Sequence, residues 1–310
     1  MIPRPPPREG SLGFLYLPPF RVQGFSVAGE ATTISIPEMD VCFDMGKAPR
    51  AQLAPKYCVL SHGHMDHIGG LAYWCSQRNF QGMGPGTIVC DKRIEDDVRT
   101  MMNGFHKLER QQTPYELITL EEGDELQIKN NIYLRPFHTE HTCPSTGYTI
   151  VEKRTKLKPE LVGLPQEKIK ELRQRGEEIV NHFEVPLIAY TGDTLPGPHL
   201  LRDDVMNAQI IITECTFFEK DHKARAKTGM HMHVSDIAEW LKVAQCEHMV
   251  ICHVSRRTHL GQARKALVEV AGKELSEKVH FLMDHRTNRE RYDIQAEEAA
   301  RMEEELANRD

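Results

Sequence analysis

Residues 60–70 read Leu-Ser-His-Gly-His-Met-Asp-His-Ile-Gly-Gly, and four metal-competent side chains, His62, His64, Asp66 and His67, fall within them. They follow directly on the apolar run Tyr57-Cys58-Val59-Leu60. Neutral imidazole nitrogen and carboxylate oxygen are the ligands zinc takes in catalytic sites. Three imidazoles and a carboxylate this close are hard to explain as packing, and one zinc cannot easily use all four. His62 and His64 point one way from an extended or turn segment, while Asp66 and His67 turn to a second point. The spacing suggests two adjacent divalent metal ions, with zinc the expected element.

Other potential ligands share one position, the end of an apolar strand. Asp44 follows Val41–Phe43, and His138 and His141 follow Ile132–Phe137. Asp193 follows Leu187–Tyr190, Glu214 follows Ile210–Thr213, and His253 follows Val250–Cys252. Loops at one edge of a rigid sheet are where α/β proteins place chemistry. Asp193, preceded by Gly192, is the best candidate for a bridging carboxylate, since its two oxygens can serve two cations. A first metal is assigned His62, His64, His141 and Asp193. A second is assigned Asp66, His67, His253 and Asp193. His138 competes with His141, and the two should point to opposite sides of an extended segment. Asp44 reads either as a carboxylate orienting a ligand histidine or as a plain turn residue.

The elements that must position these groups are short. Ten apolar runs rich in Val, Ile and Tyr read as strands: 33–36, 41–43, 57–60, 87–90, 132–137, 148–151, 187–190, 210–213, 249–252 and 279–283. Helical spacing marks 94–107, 235–245 with Ser235 as N-cap, and 262–275. This mixture fits an α/β sandwich of two sheets covered by helices. No internal sequence repeat and no linker is visible, so one domain is expected over residues 1–294. The stretch 295–310 reads as a polar helical tail.

Composition narrows the partners. The chain has 310 residues and a net charge of −6, so any nucleic acid must meet a local patch. Eight cysteines without a Cys-x-x-Cys pair read as reduced thiols of a cytoplasmic protein. The N-terminus lacks the apolar core of a signal peptide, and no run approaches membrane-spanning length. Residues 153–175 carry eight cations against three acids. That basic insert, bounded at about 153–178, with Lys156, Lys158, Lys170 and Arg173 foremost, is a natural contact for a phosphate backbone. An ordinary solvated helix over 165–175 is the plainer account.

The motif His62-x-His64-x-Asp66-His67, with Asp44, His141, Asp193 and His253, resembles the metallo-β-lactamase superfamily. That likeness implies an αββα sandwich of two mixed β-sheets flanked by helices. Within the superfamily the chain resembles tRNase Z, the tRNA 3′-processing endoribonuclease, in its short, plant-like form. Four segments carry this: 141–148, Thr213-Glu214-Cys215-Thr216-Phe217, Gly229-Met230-His231-Met232-His233, and His253-Val254-Ser255-Arg256-Arg257. Thr213 stands where the family usually has histidine, and Met230 separates Gly229 from His231. The N-terminal loop that many bacterial members carry is missing at residues 26–32.

The resemblance implies that His231 protonates the leaving 3′-oxygen and that Glu214 holds the imidazole cationic. Asp66 is expected to orient the attacking hydroxide. Ser255 and Arg257 belong to the implied site, precursor tRNA is the implied substrate, and a homodimer the implied assembly. The competing class is a small-molecule hydrolase on the same fold: a lactonase, a thioesterase or a cyclic-nucleotide phosphodiesterase. The basic insert and the Glu214/His231 pair argue against it.

Overall fold

The computed structural model describes residues 12–307. The N-terminal segment read for a signal peptide, and the last three residues of the tail, lie outside them. The first sheet holds Gly13–Leu17 (β1), Phe20–Val27 (β2), Ala31–Ile36 (β3), Val41–Phe43 (β4), Tyr57–Val59 (β5), Gly86–Asp91 (β6) and Tyr115–Leu120 (β7). The second holds Leu126–Lys129 (β8), Ile132–Thr139 (β9), Ser145–Leu157 (β10), Val180–Tyr190 (β11), Ile210–Glu214 (β12), His248–Cys252 (β13) and Val279–Phe281 (β14).

Both sheets are ordered as the chain runs, β1 to β7 and β8 to β14. In each, the first four strands pair antiparallel and the last three join parallel. The two halves thus repeat one architecture that the sequence does not display as a repeat. Residues such as Val22, Ile34, Val41 and Val59 of the first sheet meet Leu134, Ile150, Ile188 and Ile212 of the second in a shared core. Helices cover the outer faces: Leu71–Phe80 and Glu95–Glu109 on the first sheet, Val234–Leu241 and Leu260–Ala271 on the second. Ile210, Ile211 and Ile212 are buried on both faces, as a central parallel strand requires. Truncating one of them to alanine costs about 2–5 kcal/mol.

Each of the ten apolar runs falls on a strand, with Leu60 just past the end of β5 and Leu282 and Met283 just past that of β14. β1, β2, β7 and β8 were not expected; the run Phe14–Phe20 is broken by a proline pair, and β7 and β8 are half-exposed edge strands. The helix expected over 235–245 is Val234–Leu241, and its N-cap is His233 rather than Ser235. His233 Nδ1 accepts from the Ser235 backbone while Asp236 reaches back to the His233 N–H, a capping box. The helix expected over 262–275 breaks at Gly272, whose φ of 82° ends one segment before Lys273–Ser276 begins. The C-terminal helix runs from His285 to Ala307, so the boundary expected at 294/295 falls inside it. Tyr292 packs edge-on against Phe14, and Gln295 Nε2 donates to the Tyr16 carbonyl.

β10 and β11 stay paired out to Leu157 and Val180, forming a solvated ribbon beyond the sheet. The helix Gln166–Gln174 closes its tip, where residues 165–175 read as helical. Part of the basic charge is neutralised. Lys153 pairs with Glu125, Arg154 with Glu152, and Lys158 with Glu178. Lys156, Lys170 and Arg173 have no acidic partner among the described residues.

Two tyrosines tie the core to one edge. Tyr190 at the end of β11 stacks on Phe43 of β4, ring centroids 4.6 Å apart, and its hydroxyl donates to Asp44. The Tyr148 hydroxyl crosses between sheets to the Leu60 carbonyl, just before the histidine cluster.

Candidate active site

The ends of β4, β5, β9, β11, β12 and β13 meet at that edge. They bring Asp44, His62, His64, Asp66, His67, His141, Asp193, Glu214 and His253 together, and His231 joins them from the loop before Val234–Leu241. Their donor atoms form two sets. In the first, His64 Nδ1 lies 3.1 Å from His62 Nε2 and 3.2 Å from His141 Nε2. Asp193 Oδ2 is 3.9 Å from His62 Nε2. In the second, His253 Nε2 lies 3.3 Å from Asp66 Oδ2 and 3.5 Å from His67 Nε2. Asp193 Oδ2 is 3.3 Å from both of those histidines. Asp193 stands between them, 3.9 Å from His62 Nε2 and 3.3 Å from His67 Nε2, so the donors form one continuous cluster that the two groups of four read from the sequence would divide.

These spacings fit metal coordination. A tetrahedral ion with bonds of about 2.0–2.1 Å holds its ligand atoms roughly 3.3–3.4 Å apart. The outer nitrogens are engaged, which turns the inner ones toward the donor sets. His67 Nδ1 donates to Asp44 Oδ2 at 2.8 Å. His62 Nδ1 donates to Ser61 Oγ at 2.9 Å, and Ser61 Oγ donates to Asp44 Oδ2 at 2.8 Å. His141 Nδ1 donates to the Met230 carbonyl at 2.9 Å, and His253 Nδ1 to Thr216 Oγ1 at 3.0 Å. Met230, the residue inserted before His231, has a left-handed backbone, with φ at 56°, and so offers that carbonyl. Asp44 is fully buried and accepts four hydrogen bonds, the others coming from the Ser61 backbone and Tyr190. It therefore sits where a carboxylate orienting ligand histidines should.

Gly192 permits the approach of Asp193. Its φ is 61°, and a Cβ there would lie 2.7 Å from that of Ser61. Asp66 is held from the other side, where the tight β2–β3 turn points the Gly29 N–H at Oδ2 from 2.9 Å.

The electrostatics follow from burial and crowding. Burial pushes His62 down to about 2 and lowers His64 and His141, which favours the neutral rings that a metal would require. Burial opposes charge on His67 too, but Asp193 and Asp44 outweigh it and hold that ring well above its ordinary value. Asp193 is held well below its usual range because His253 and His67 outweigh its burial. The protein without metal thus keeps a proton where the second donor set collects negative charge, and a cation would displace that proton.

His231 borders both sets: its Nδ1 lies 3.9 Å from Asp193 Oδ2, and the ring groups with His141 and Asp193 on one side and with Glu214 and His253 on the other. Its Nδ1 donates to Glu214 Oε1 at 2.8 Å, and Glu214 is fully buried. Glu214 also accepts from the Thr194 backbone at 3.0 Å and from Thr216 Oγ1 at 2.8 Å. Burial would lower His231, but Glu214 and then Asp193 lift it to about 9. That favours the imidazolium in the metal-free protein, and among the described residues no acceptor takes its second N–H, an arrangement that suits an acid. Phe217 lies beside it, ring centroids 6.3 Å apart.

Other expected residues lie elsewhere. His138 faces Asp91 at 3.3 Å and Glu122 at 3.5 Å, away from the donor sets. Ser255 Oγ accepts from the Arg257 backbone at 3.3 Å, and Arg257 is exposed next in the chain to Arg256, which pairs with Glu30. Lys156, Lys158, Lys170 and Arg173 lie on the arm, remote from the donor atoms. Sequence reasoning missed Ser61, Thr216 and Tyr190. It also missed Cys143, the one cysteine that is not fully buried, whose thiol lies with His62 and His64 at the first set.

Comparison with known proteins agrees with this geometry. Residues 42–254 match the β-lactamase superfamily domain. A chloroplastic tRNase Z of Arabidopsis thaliana is 31% identical over 258 residues, covering 82% of this chain and 73% of the relative. A second tRNase Z of that plant is 30% identical over 241 residues, covering 77% and 86%. The crystal structure of the short form of human tRNase Z superposes with a TM-score of 0.57 at 16% identity, over 88% of this chain and 96% of that one.

Proposed function

The chain belongs to the tRNase Z family of the β-lactamase superfamily, and on that premise we propose that it is a metal-dependent endoribonuclease that cuts the 3′ trailer from precursor tRNA. The observation that carries the reading is the Glu214–His231 pair beside two shared donor sets. A phosphodiester with an alkoxide leaving group needs a proton at the departing oxygen, which this pair is placed to give, whereas a thioester's leaving group departs as a thiolate and does not.

Two zinc ions are the proposed cofactors. His62, His64, His141 and Asp193 would hold one; Asp66, His67, His253 and Asp193 the other. When bound, they supply Lewis acidity that draws a nucleophile from water at neutral pH and offsets phosphate charge. Asp66, anchored by Gly29, orients the attacking oxygen. His231 gives its free ring proton to the 3′-oxygen as the P–O bond breaks, leaving a 3′-hydroxyl on the tRNA and a phosphate on the trailer. Glu214 keeps that ring charged and aimed.

The arm serves grip. Lys156, Lys170 and Arg173 are free for backbone phosphates, whereas Lys158 must share itself with Glu178. Arg257 and Ser255 are proposed contacts at the mouth. β10 runs thirteen residues from the site edge to the arm, roughly 40 Å at the strand rise. That separation favours a homodimer, in which two copies share grip and cut. Eight free thiols support a reducing compartment such as the cytoplasm. Among the described residues no helix is long and apolar enough to cross a membrane.

The test is incubation of the zinc-loaded protein with a precursor tRNA and with a panel of lactones, thioesters and cyclic nucleotides. Release of a 5′-phosphorylated trailer, abolished by a chelator, is expected. Turnover of a small ester with the RNA left intact would overturn the reading. Changing Lys156, Lys170 and Arg173 to Ala should flatten the salt dependence of RNA binding while sparing an aryl phosphodiester.

A further inference from the structure

A second group of cationic side chains lies away from the reaction and has no role in it. A cleft of about 300 Å³ opens between the helix Leu260–Ala271, β14 and the C-terminal helix. Arg264, Lys273, Arg291, His280 and Thr287 line it, and Glu277 is the one acid in its wall among the described residues. Arg264 is already committed, pairing with Asp284 and donating to Thr287 Oγ1 at 3.1 Å. Arg291 is not. It is half-buried, its Nε is shut off from solvent without an acceptor, and no carboxylate pairs with it among the described residues.

Among the described residues no carboxylate pairs with Arg291, although Glu277 shares the cleft wall. His248 Nδ1 and His280 Nε2 lie 3.2 Å apart at the starts of β13 and β14. Burial first, then Arg291 and His248, push His280 down to about 3. His248 is lowered by burial and by Arg291, opposed by Glu247. Both rings are neutral at pH 7. A half-buried guanidinium whose Nε meets neither water nor an acceptor has lost part of its hydration and recovered nothing for it. The cleft supplies donors in excess and an apolar floor from Leu267 and Phe281. The planar fork of arginine matches the oxygens of a phosphate, and a lysine beside it adds a point charge.

We propose that this cleft binds a phosphate-type oxyanion, with Arg291 as the fork and Lys273 as the charge at its rim. It is separate from the reaction centre, because β13 starts here at His248 and delivers His253 at its other end, roughly 17 Å along the strand. The anion is either a free phosphate-bearing small molecule or a phosphate of bound RNA.

The experiment titrates inorganic phosphate into the zinc-loaded full chain and follows the His248 and His280 ring resonances. Wild type should show saturable shifts and a thermal midpoint that rises with phosphate. Arg291→Met should weaken that binding at least tenfold and lose the rise in midpoint, whereas Arg291→Lys should keep part of both. Phosphate at the metal centre moves the ligand histidines alike in wild type and variants, which separates the two sites. Precursor tRNA then distinguishes the sources. If RNA supplies the anion, Arg291→Met lowers the salt slope of RNA binding by about one contact. If a free anion does, the slope is unchanged while the phosphate effect persists. Equal phosphate affinity in wild type and Arg291→Met, with His280 unmoved in both, overturns the proposal.

Discussion

Two buried carboxylates organise the site, one from each half of the sandwich. Asp44, at the end of β4, takes the Nδ1 proton of His67 directly and that of His62 through Ser61. Glu214, at the end of β12, takes that of His231 directly and that of His253 through Thr216. Each is a carboxylate with one imidazole at hand and another one hydroxyl away. They differ in what the direct partner does. Both rings that Asp44 serves belong to donor sets. Glu214 serves one such ring and one ring placed as an acid. On the proposed function, the same local device would hold metal in one half, and would span metal and proton transfer in the other.

The comparison breaks most sharply at the proton. His231→Ala should keep two metals and near-normal RNA affinity, yet lower RNA turnover roughly 10²–10⁴-fold, the usual worth of a positioned acid. Glu214→Ala should fall in that range, and the double variant should be little worse, because the two act as a unit. A nitrophenyl phosphodiester, whose leaving group needs no proton, should be largely spared. His233→Ala should be milder for chemistry, since that ring caps a helix. RNA turnover surviving His231→Ala but lost in His233→Ala would reverse the assignment.

Asp44→Asn should act on affinity instead. Removing the carboxylate that orients His67 and His62 should weaken zinc binding about 10–100-fold. Chelator competition reads this directly. RNA turnover at saturating zinc should return near to wild type, and a persistent deficit there would mean that Asp44 does more than hold ligands.

The difference between the halves also explains what the sequence could reveal. The first half delivers its ligands in one span, so chemistry is visible without a fold. The second delivers His141, Asp193, Glu214 and His253 singly. They were legible only because each ends an apolar run, and strand ends at one edge converge. The hydroxyls had no such signal. Ser61 and Thr216 are ordinary residues until the opposite carboxylate is in place, and Tyr190 reads as core because its ring is core. The extended arm strands were hidden because residues 152–157 carry no apolar run; their pairing continues that of the buried segment before them. His138 and His141 are alike in sequence, and only the paired acids Asp91 and Glu122 show which one turns away.

The His231 charge gives a pH window. Its pKa rises from 6.5 to about 9 on folding of the metal-free chain. A raised value means that the proton stabilises the fold fully below 6.5, and that this contribution is lost as pH climbs through 9. Wild type should lose stability relative to Glu214→Gln across that interval. The His231 ring, followed by NMR in metal-free protein, should titrate near 9 in wild type and below its ordinary value in Glu214→Gln, where burial is less opposed. A ring that titrates alike in both would remove Glu214 as the source of its charge.

The smallest effects lie in the two hydroxyls, and they test the comparison most finely. Ser61→Ala removes a link between a metal-site ring and Asp44 alone. It should weaken zinc binding several-fold and leave turnover at saturating zinc unchanged. Thr216→Val keeps the volume but cuts the link between His253 and Glu214. It should weaken zinc binding to a similar degree, and it should also lower RNA turnover at saturating zinc, because Glu214 loses a donor from Oε2 and its aim at His231 loosens. Thr216→Ser restores the hydroxyl and should recover both properties. If Thr216→Val changes affinity alone, Glu214 does not couple the two functions, and the halves are more alike than their direct partners suggest.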